Sequence, residues 1–235
     1  MADLRDALLA CARARPMEEN VFIRRLCSGN YSRQELRSYA QRMFHLSDHF
    51  PLHIAAILSI CPRKDLRAHL LENLIEEEGI VPRDDGRGFV YDPDRRHSEM
   101  ARRFTRALGI ADDSLALSKP PTSTRWFDHV LRERRWVEAA AYITVGIESN
   151  IPRTFRLMVP ALRRFYGFND HELAFFIEHI EADEAHASVG AHIVACAVQT
   201  PADHQAAFEG VRHGANAWWQ FNRVSDSGSA GTPLG

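Results

Sequence analysis

Along most of this chain apolar residues recur three and four positions apart, the spacing that places them on one face of an α-helix. Strand-like alternation nowhere survives beyond four residues. The periodicity predicts helices over 2–14, 17–27, 32–60 (bent near Pro51), 64–78, 95–108, 124–151, 152–165, 170–198 and 202–222. Short breakers such as "SGNYS", "CP", "GFND" and "TPAD" separate most of them. One connection differs. "GIVPRDDGRGFVYDPD" (79–94) is rich in Gly, Pro and Asp and is predicted to be a long loop without secondary structure. Loops of that length are usually functional lids or disordered; "DDGRG" offers a hinge and "FVY" an apolar surface to close over a pocket, and the alternative is a static surface insertion. The small polar residues at the end predict a disordered tail over 224–235. No internal repeat or linker divides the rest, so 1–223 is expected to form a single all-α helical bundle.

Against this background four helices share an oddity: ionisable residues on the stripe that should face the core. In "HIEADEAHAS" (179–188), His179, Asp183 and His186 stand at i, i+4 and i+7, within an arc of about 60° at helical geometry. Phe176 and Gly190 share that face, whereas Glu178, Glu181 and Glu184 point elsewhere. In 64–78 the row Leu66, Leu70, Asn73 ends on Glu77, with Glu76 and Glu78 diverging by about 100° each way. In 124–151 the row Val137, Ala141, Thr144 ends on Glu148, and in 95–108 His97 shares a row with Ala101, Phe104 and Leu108.

An unpaired buried charge costs several kcal/mol, so such groups need a reason to be inside. Two readings follow. Three carboxylates and three imidazoles with no thiolate suit a pair of iron or manganese ions, and helix bundles build such sites from side chains facing the core. Alternatively the groups form a structural salt-bridge cluster, with Arg153 or Arg67 as partners.

Composition narrows the function classes. Net charge is −2 over 235 residues and the basic residues are scattered, which argues against a nucleic-acid or membrane-surface role. No apolar run approaches the ~20 residues that span a bilayer, and "MADLRDALLA" lacks a signal-peptide core. Cys11, Cys27, Cys61 and Cys196 are far apart and form no CxxC pair, so they read as reduced thiols in a cytoplasmic protein.

The stretches "FPLHIAAILSICP", "LLENLIEEEG", "HSEMARRFTRALGI", "YITVGIESNIPR" and "FYGFNDHELAFFIEHIEADEAH" resemble, in order, those of the heme-oxygenase-like di-metal oxidases and oxygenases. These are relatives of the TenA-type thiaminases and of pyrroloquinoline-quinone synthase. The resemblance runs from about residue 20 to 195 and implies a heme-oxygenase-like helical bundle. It implies metal ligation by Glu77, His97, Glu148, His179, Asp183 and His186, the six residues already isolated by the helical rows. Two Fe(II) ions, or a Mn/Fe pair, would be the cofactor; O2, a small-molecule substrate and an electron donor would be the partners. Proteins of this fold often dimerise, so a homodimer is compatible with it. The closest-looking branch contains the p-aminobenzoate-forming proteins, which the resemblance implies consume an internal Tyr and Lys. The matching positions here hold Ile23 and Met158, so that self-consuming chemistry is not expected. A thiaminase is not expected either, because its nucleophilic cysteine has no counterpart in 134–150.

The expected function is therefore a non-heme di-iron oxidase or oxygenase acting on a small amine- or carboxylate-bearing metabolite, by N-oxygenation, C–H oxidation or oxidative C–C cleavage. Two rivals remain: a cofactorless oxidase like pyrroloquinoline-quinone synthase, and a non-catalytic partner-binding protein with a structural metal site. Other signals are read mainly as packing. His45, His49 and His53 step along one helix edge, with a separate metal site or a pocket role as the sharper reading. Tyr39, Phe44, Tyr142 and Phe176 are core residues or cavity lining. Trp218, Trp219 and Phe221 dock the last helix, with a pocket role as the lesser reading.

Overall fold

A computed structural model describes residues 2–115 and 125–223, with the backbone alone at residue 2 and at 181–186. The expected tail, 224–235, lies outside the described residues. The helices run α1 (Ala2–Ala12), α2 (Val21–Cys27), α3 (Leu36–Ile60), α4 (Lys64–Glu77), α5 (His97–Ala107), α6 (Arg125–Arg132), α7 (Trp136–Ala140), α8 (Ile151–Tyr166), α9 (Ala174–Ala197) and α10 (Pro201–Phe221). Their inner stripes meet in one continuous core that includes Phe22, Tyr39, Phe104, Phe127, Tyr142, Phe155, Phe176 and Trp218. Local chemistry sets several ends. Asn20 caps α2 by accepting from the Phe22 and Ile23 amides at 3.0 and 3.4 Å. At α10, Thr200 and Asp203 form a reciprocal capping box with Pro201 at the first turn. Gly167, at φ 71°, closes α8 in the left-handed conformation. The all-α expectation holds, and α3 continues through Pro51 as one helix.

Two expectations are corrected. The segment 79–94 is not a structureless loop: Ile80–Pro82 (β1) and Phe89–Tyr91 (β2) pair antiparallel, Ile80 opposite Tyr91 and Pro82 opposite Phe89. The Gly86 and Gly88 backbones, at φ 68° and 89°, supply the turn. Its strands are only three residues each, too short for a period-2 signal to rise above the surrounding Gly, Pro and Asp. The second correction concerns 124–151, which is not one helix. After α6 the chain breaks at Arg134, at φ 56°, and restarts as α7. It then widens into a π-helical segment, Ala141–Ile147, and tightens into a 3-10 turn, Glu148–Asn150, before α8.

Side chains steady this irregular stretch. Thr144 Oγ1 donates to the Ala140 carbonyl at 2.8 Å, and Asn150 Nδ2 donates to the Gly146 and Ala12 carbonyls at 2.9 and 3.0 Å. Trp218 Nε1 donates to Thr154 Oγ1 at 2.9 Å, which in turn donates to the Asn150 carbonyl at 2.7 Å. Carbonyls displaced from regular i→i−4 pairing thus find partners in a place without water. α10 lies hard against the segment: a Cβ on Gly214 would stand 2.1 Å from the Tyr142 carbonyl oxygen.

The hairpin root is equally tight. Gly79 follows α4 at φ 66°, the Asp92 amide donates to its carbonyl at 2.8 Å, and Arg96 pairs with Glu78 at 3.0 Å. A Cβ on Gly79 would meet the Arg96 amide nitrogen and the Asp92 carbonyl oxygen, both at 2.6 Å. Gly86 has a similar φ but nothing within 4 Å of its position. Gly79→Ala should therefore lower stability by about 2–4 kcal/mol through strain and overpacking, and Gly86→Ala by only about 1 kcal/mol. Urea denaturation of the two variants checks this; equal losses would mean that the root is not a clamp.

Candidate metal centre

Glu77 is the last residue of α4 and His97 the first of α5, so the hairpin's clamp brings the two helix ends together. His97 Nδ1 lies 2.8 Å from Glu77 Oε2, and both side chains are 5% exposed, inside the core rather than on a wet surface. His179, buried on α9, comes alongside with its ring centroid 4.4 Å from that of His97. One potential ligand atom from each of Glu77, His97 and His179 falls within 4.8 Å of the others. His179 Nδ1 is 2.7 Å from the Phe175 carbonyl. A carbonyl only accepts, so the proton sits on Nδ1 and Nε2 presents its lone pair. Histidine ligands are commonly oriented in this way.

Glu148 reaches the same region from the 3-10 turn, buried at 1% exposure. Its Oε1 accepts a hydrogen bond from Asn73 Nδ2 at 2.9 Å, and Asn73 stands one turn before Glu77 on α4. Glu77, Glu148 and His179 line one narrow cavity of about 20 Å³, walled by Phe50, Phe155, Phe175 and Trp218. That is room for a molecule the size of water or dioxygen. No residue of 79–94 lines it, and Phe89, Val90 and Tyr91 are exposed.

The expected six residues thus divide. Glu77, His97 and His179 are brought together, and Glu148 lines the same cavity as Glu77 and His179. Asp183 and His186 belong to α9, four and seven residues beyond His179, but their side chains lie outside the described residues. The helical phase of α4 is as expected, with Glu77 buried and Glu76 exposed. The salt-bridge reading loses its partners: Arg67 donates to the Cys61 carbonyl at 2.9 Å, and Arg153 to the Arg13 carbonyl and Asn150 Oδ1, both at 3.4 Å. Among the described residues, Glu138 is a buried carboxylate paired with an arginine, Arg135. Two carboxylates and two imidazoles in an apolar interior, one imidazole with its lone pair set, fit a hard or borderline divalent cation.

Sequence reasoning missed parts of the surroundings. Phe155 and Phe175 line the cavity, rather than Tyr39, Phe44, Tyr142 or Phe176. Trp218 contributes a wall, the lesser of the two readings given it, as well as packing the last helix. Asn73 was visible as a polar residue in an apolar row, which was the available signal. The α3 histidines are not part of the cavity lining. His49 Nδ1 donates to the His45 carbonyl at 2.9 Å, and His53 packs edge-on against Phe127 with centroids 5.3 Å apart.

The described chain has the heme-oxygenase-like all-α fold. It superposes on a TenA homolog from Pseudomonas syringae pv. tomato str. DC3000 with TM-score 0.72 at 15% identity, covering 94% of this chain and 90% of that one. It superposes also on a domain of unknown function with a heme oxygenase-like fold from Shewanella denitrificans, with TM-score 0.65 at 15% identity over 94% and 86%. Residues 37–219 match the family described as iron-containing redox enzyme, and the chain belongs to that family. A curated relative, 4-aminobenzoate synthase of Chlamydia trachomatis serovar D, is 29% identical over 177 residues, 73% of this chain and 70% of the relative. No helix among the described residues is long and apolar enough to cross a membrane.

Burial lowers the His53 pKa to about 4, with the nearby His49 adding to the effect and Asp128 opposing it. Above pH ~6.5 the ring is neutral folded or unfolded and costs nothing. As pH falls from ~6.5 towards 4 the unfolded chain takes up a proton that the folded one does not, so stability drops, by about 3 kcal/mol at most. Relative to the native chain, His53→Leu should lose less stability between pH 7 and pH 4.5 in urea denaturation. Parallel losses would show that His53 does not carry this part of the acid sensitivity.

Proposed function

We propose that the protein is a non-heme di-iron oxidase or oxygenase that uses O2 on a small amine- or carboxylate-bearing metabolite. The observation that carries this reading is the buried meeting of Glu77, His97 and His179, with ligand atoms within 4.8 Å, beside a cavity that Glu148 shares. Membership of an iron-containing redox enzyme family supports the choice of metal. Asp183 and His186 complete the proposed ligand set, and a Mn/Fe pair would be held by the same donors. Iron bound there would supply the reductive activation of O2, with electrons from a separate donor.

The chain's own residues have distinct tasks in this reading. Glu77 and Glu148 offset the cations' charge, and the cations remove the burial penalty of the carboxylates. Phe175 holds His179 as the tautomer that can ligate. Phe50, Phe155 and Trp218 keep the neighbouring space dry. That space suits O2; a metabolite needs lining side chains such as Met43 to move aside. The substrate class follows the relatives, whose named product, 4-aminobenzoate, carries both an amine and a carboxylate. Ile23 and Met158, apolar and fully buried, offer no Tyr or Lys to consume, so the substrate is taken to be external.

Anaerobic titration with Fe(II), followed by O2 and a panel of amino-acid and aromatic amine substrates, tests the reading. Two irons per chain and substrate-dependent O2 uptake are expected; well under two irons with no uptake overturns it. Within the same titration Glu77→Gln should lower iron content and Glu76→Gln should not. Equal losses at the two positions would refute the assignment of Glu77.

A further inference from the structure

We infer that Asn73 is a positioning residue for the metal centre, holding Glu148 through its side-chain amide; this rests on the di-iron reading above. The inward stripe of α4 is Leu66, Leu70, Asn73 and Glu77, all buried. Asn is a poor residue for the middle of a helix, and a buried amide costs free energy that a leucine would not. Packing alone does not account for it.

Its hydrogen bonding does. An ionised Glu148 can only accept, so the 2.9 Å contact fixes the amide with Nδ2 towards Oε1. The amide is thereby oriented, and its Oδ1 faces away from Glu148. That oxygen is buried and has no hydrogen-bond partner among the described residues. A buried acceptor left so shows that the amide is kept in the core for what its Nδ2 holds rather than for packing. Asn73 also links the helix that carries Glu77 to the 3-10 turn that carries Glu148. Glu148 needs this support. It stands where π-helical backbone passes into a 3-10 turn, so regular helix geometry does not set its direction. With Oε1 held by Asn73, Glu148 offers the metals its other oxygen in a set orientation.

The test uses the full chain with Co(II) as the probe, alongside anaerobic Fe(II) titration. Asn73→Leu removes the amide at similar volume, Asn73→Ala removes it with a gap, and Asn73→Gln keeps it one methylene further out. The Leu and Ala variants should bind Co(II) about 10–100-fold more weakly, the usual effect of losing a ligand's supporting partner, with shifted d–d bands. Their metal-free circular dichroism should be unchanged, and Gln should recover part of the affinity. Native affinity and an unshifted spectrum in either truncating variant overturn the assignment. If Leu disturbs the metal-free fold, the Ala and Gln variants decide by the same readouts. Failure of this inference is distinct from failure of the di-iron reading. In the first case the native chain binds two metals and Glu148→Ala loses one while Asn73→Leu changes nothing. In the second the native chain itself binds none, and both ideas fall.

Discussion

Everything near the candidate centre depends on the contact between Glu77 and His97, because it joins the end of one helix to the beginning of the next. The intervening chain must return to its starting point, and closing such an excursion costs entropy that one hydrogen bond does not recover. The hairpin lowers that cost by pairing β1 with β2, and the root at Gly79 and Asp92 completes the closure. Two ionisable groups are thus delivered to the core by backbone geometry, and α9 adds His179 from the other side. The hairpin closes the Glu77–His97 pair. Phe89 and Tyr91 at its far end are exposed and line no part of the cavity.

Where the backbone is regular, the residue pattern was enough. Along α4 the side chains keep the helical phase, and Glu77 is buried while Glu76 is exposed, as the 3.6-residue repeat requires. The inward position of His179 follows for the same reason. The pattern also reached Glu148, but by a route the structure does not support. Ala139 to Asn150 is buried on every side, and the backbone there is π-helical, then 3-10, so a row spaced for an α-helix does not select that residue. Glu148 was legible because it is a carboxylate in an otherwise apolar run. The neighbouring carboxylate Glu138 had the same signature and is paired with Arg135. Choosing between them needed the third dimension.

The hairpin and the π segment were illegible for different reasons. Three-residue strands in a Gly- and Asp-rich stretch carry no periodicity of their own, and their pairing depends on where α4 and α5 end. The π segment depends on contacts distant in sequence: Gly214 and Gly190 let α10 and α9 approach backbone and Thr144, and Asn150 takes up a displaced carbonyl. Nothing within its seven residues, "AYITVGI", distinguishes π-helical from α-helical backbone. Tertiary packing overrides local preference here.

The irregular backbone and the small cavity are parts of one arrangement. Widening the helix at Ala141–Ile147 changes the phase at which the following 3-10 turn presents Glu148. Displaced carbonyls must then be met inside the core, which draws in Thr144, Asn150 and, through Thr154, Trp218. Trp218 is therefore held by the same hydrogen-bond chain that steadies the Glu148 turn, and its ring forms a cavity wall. The size of the space beside the carboxylates is coupled to the conformation that aims one of them. A larger occupant has to displace unbranched, adaptable side chains such as Met43 before it displaces Trp218, which is anchored by its indole N–H.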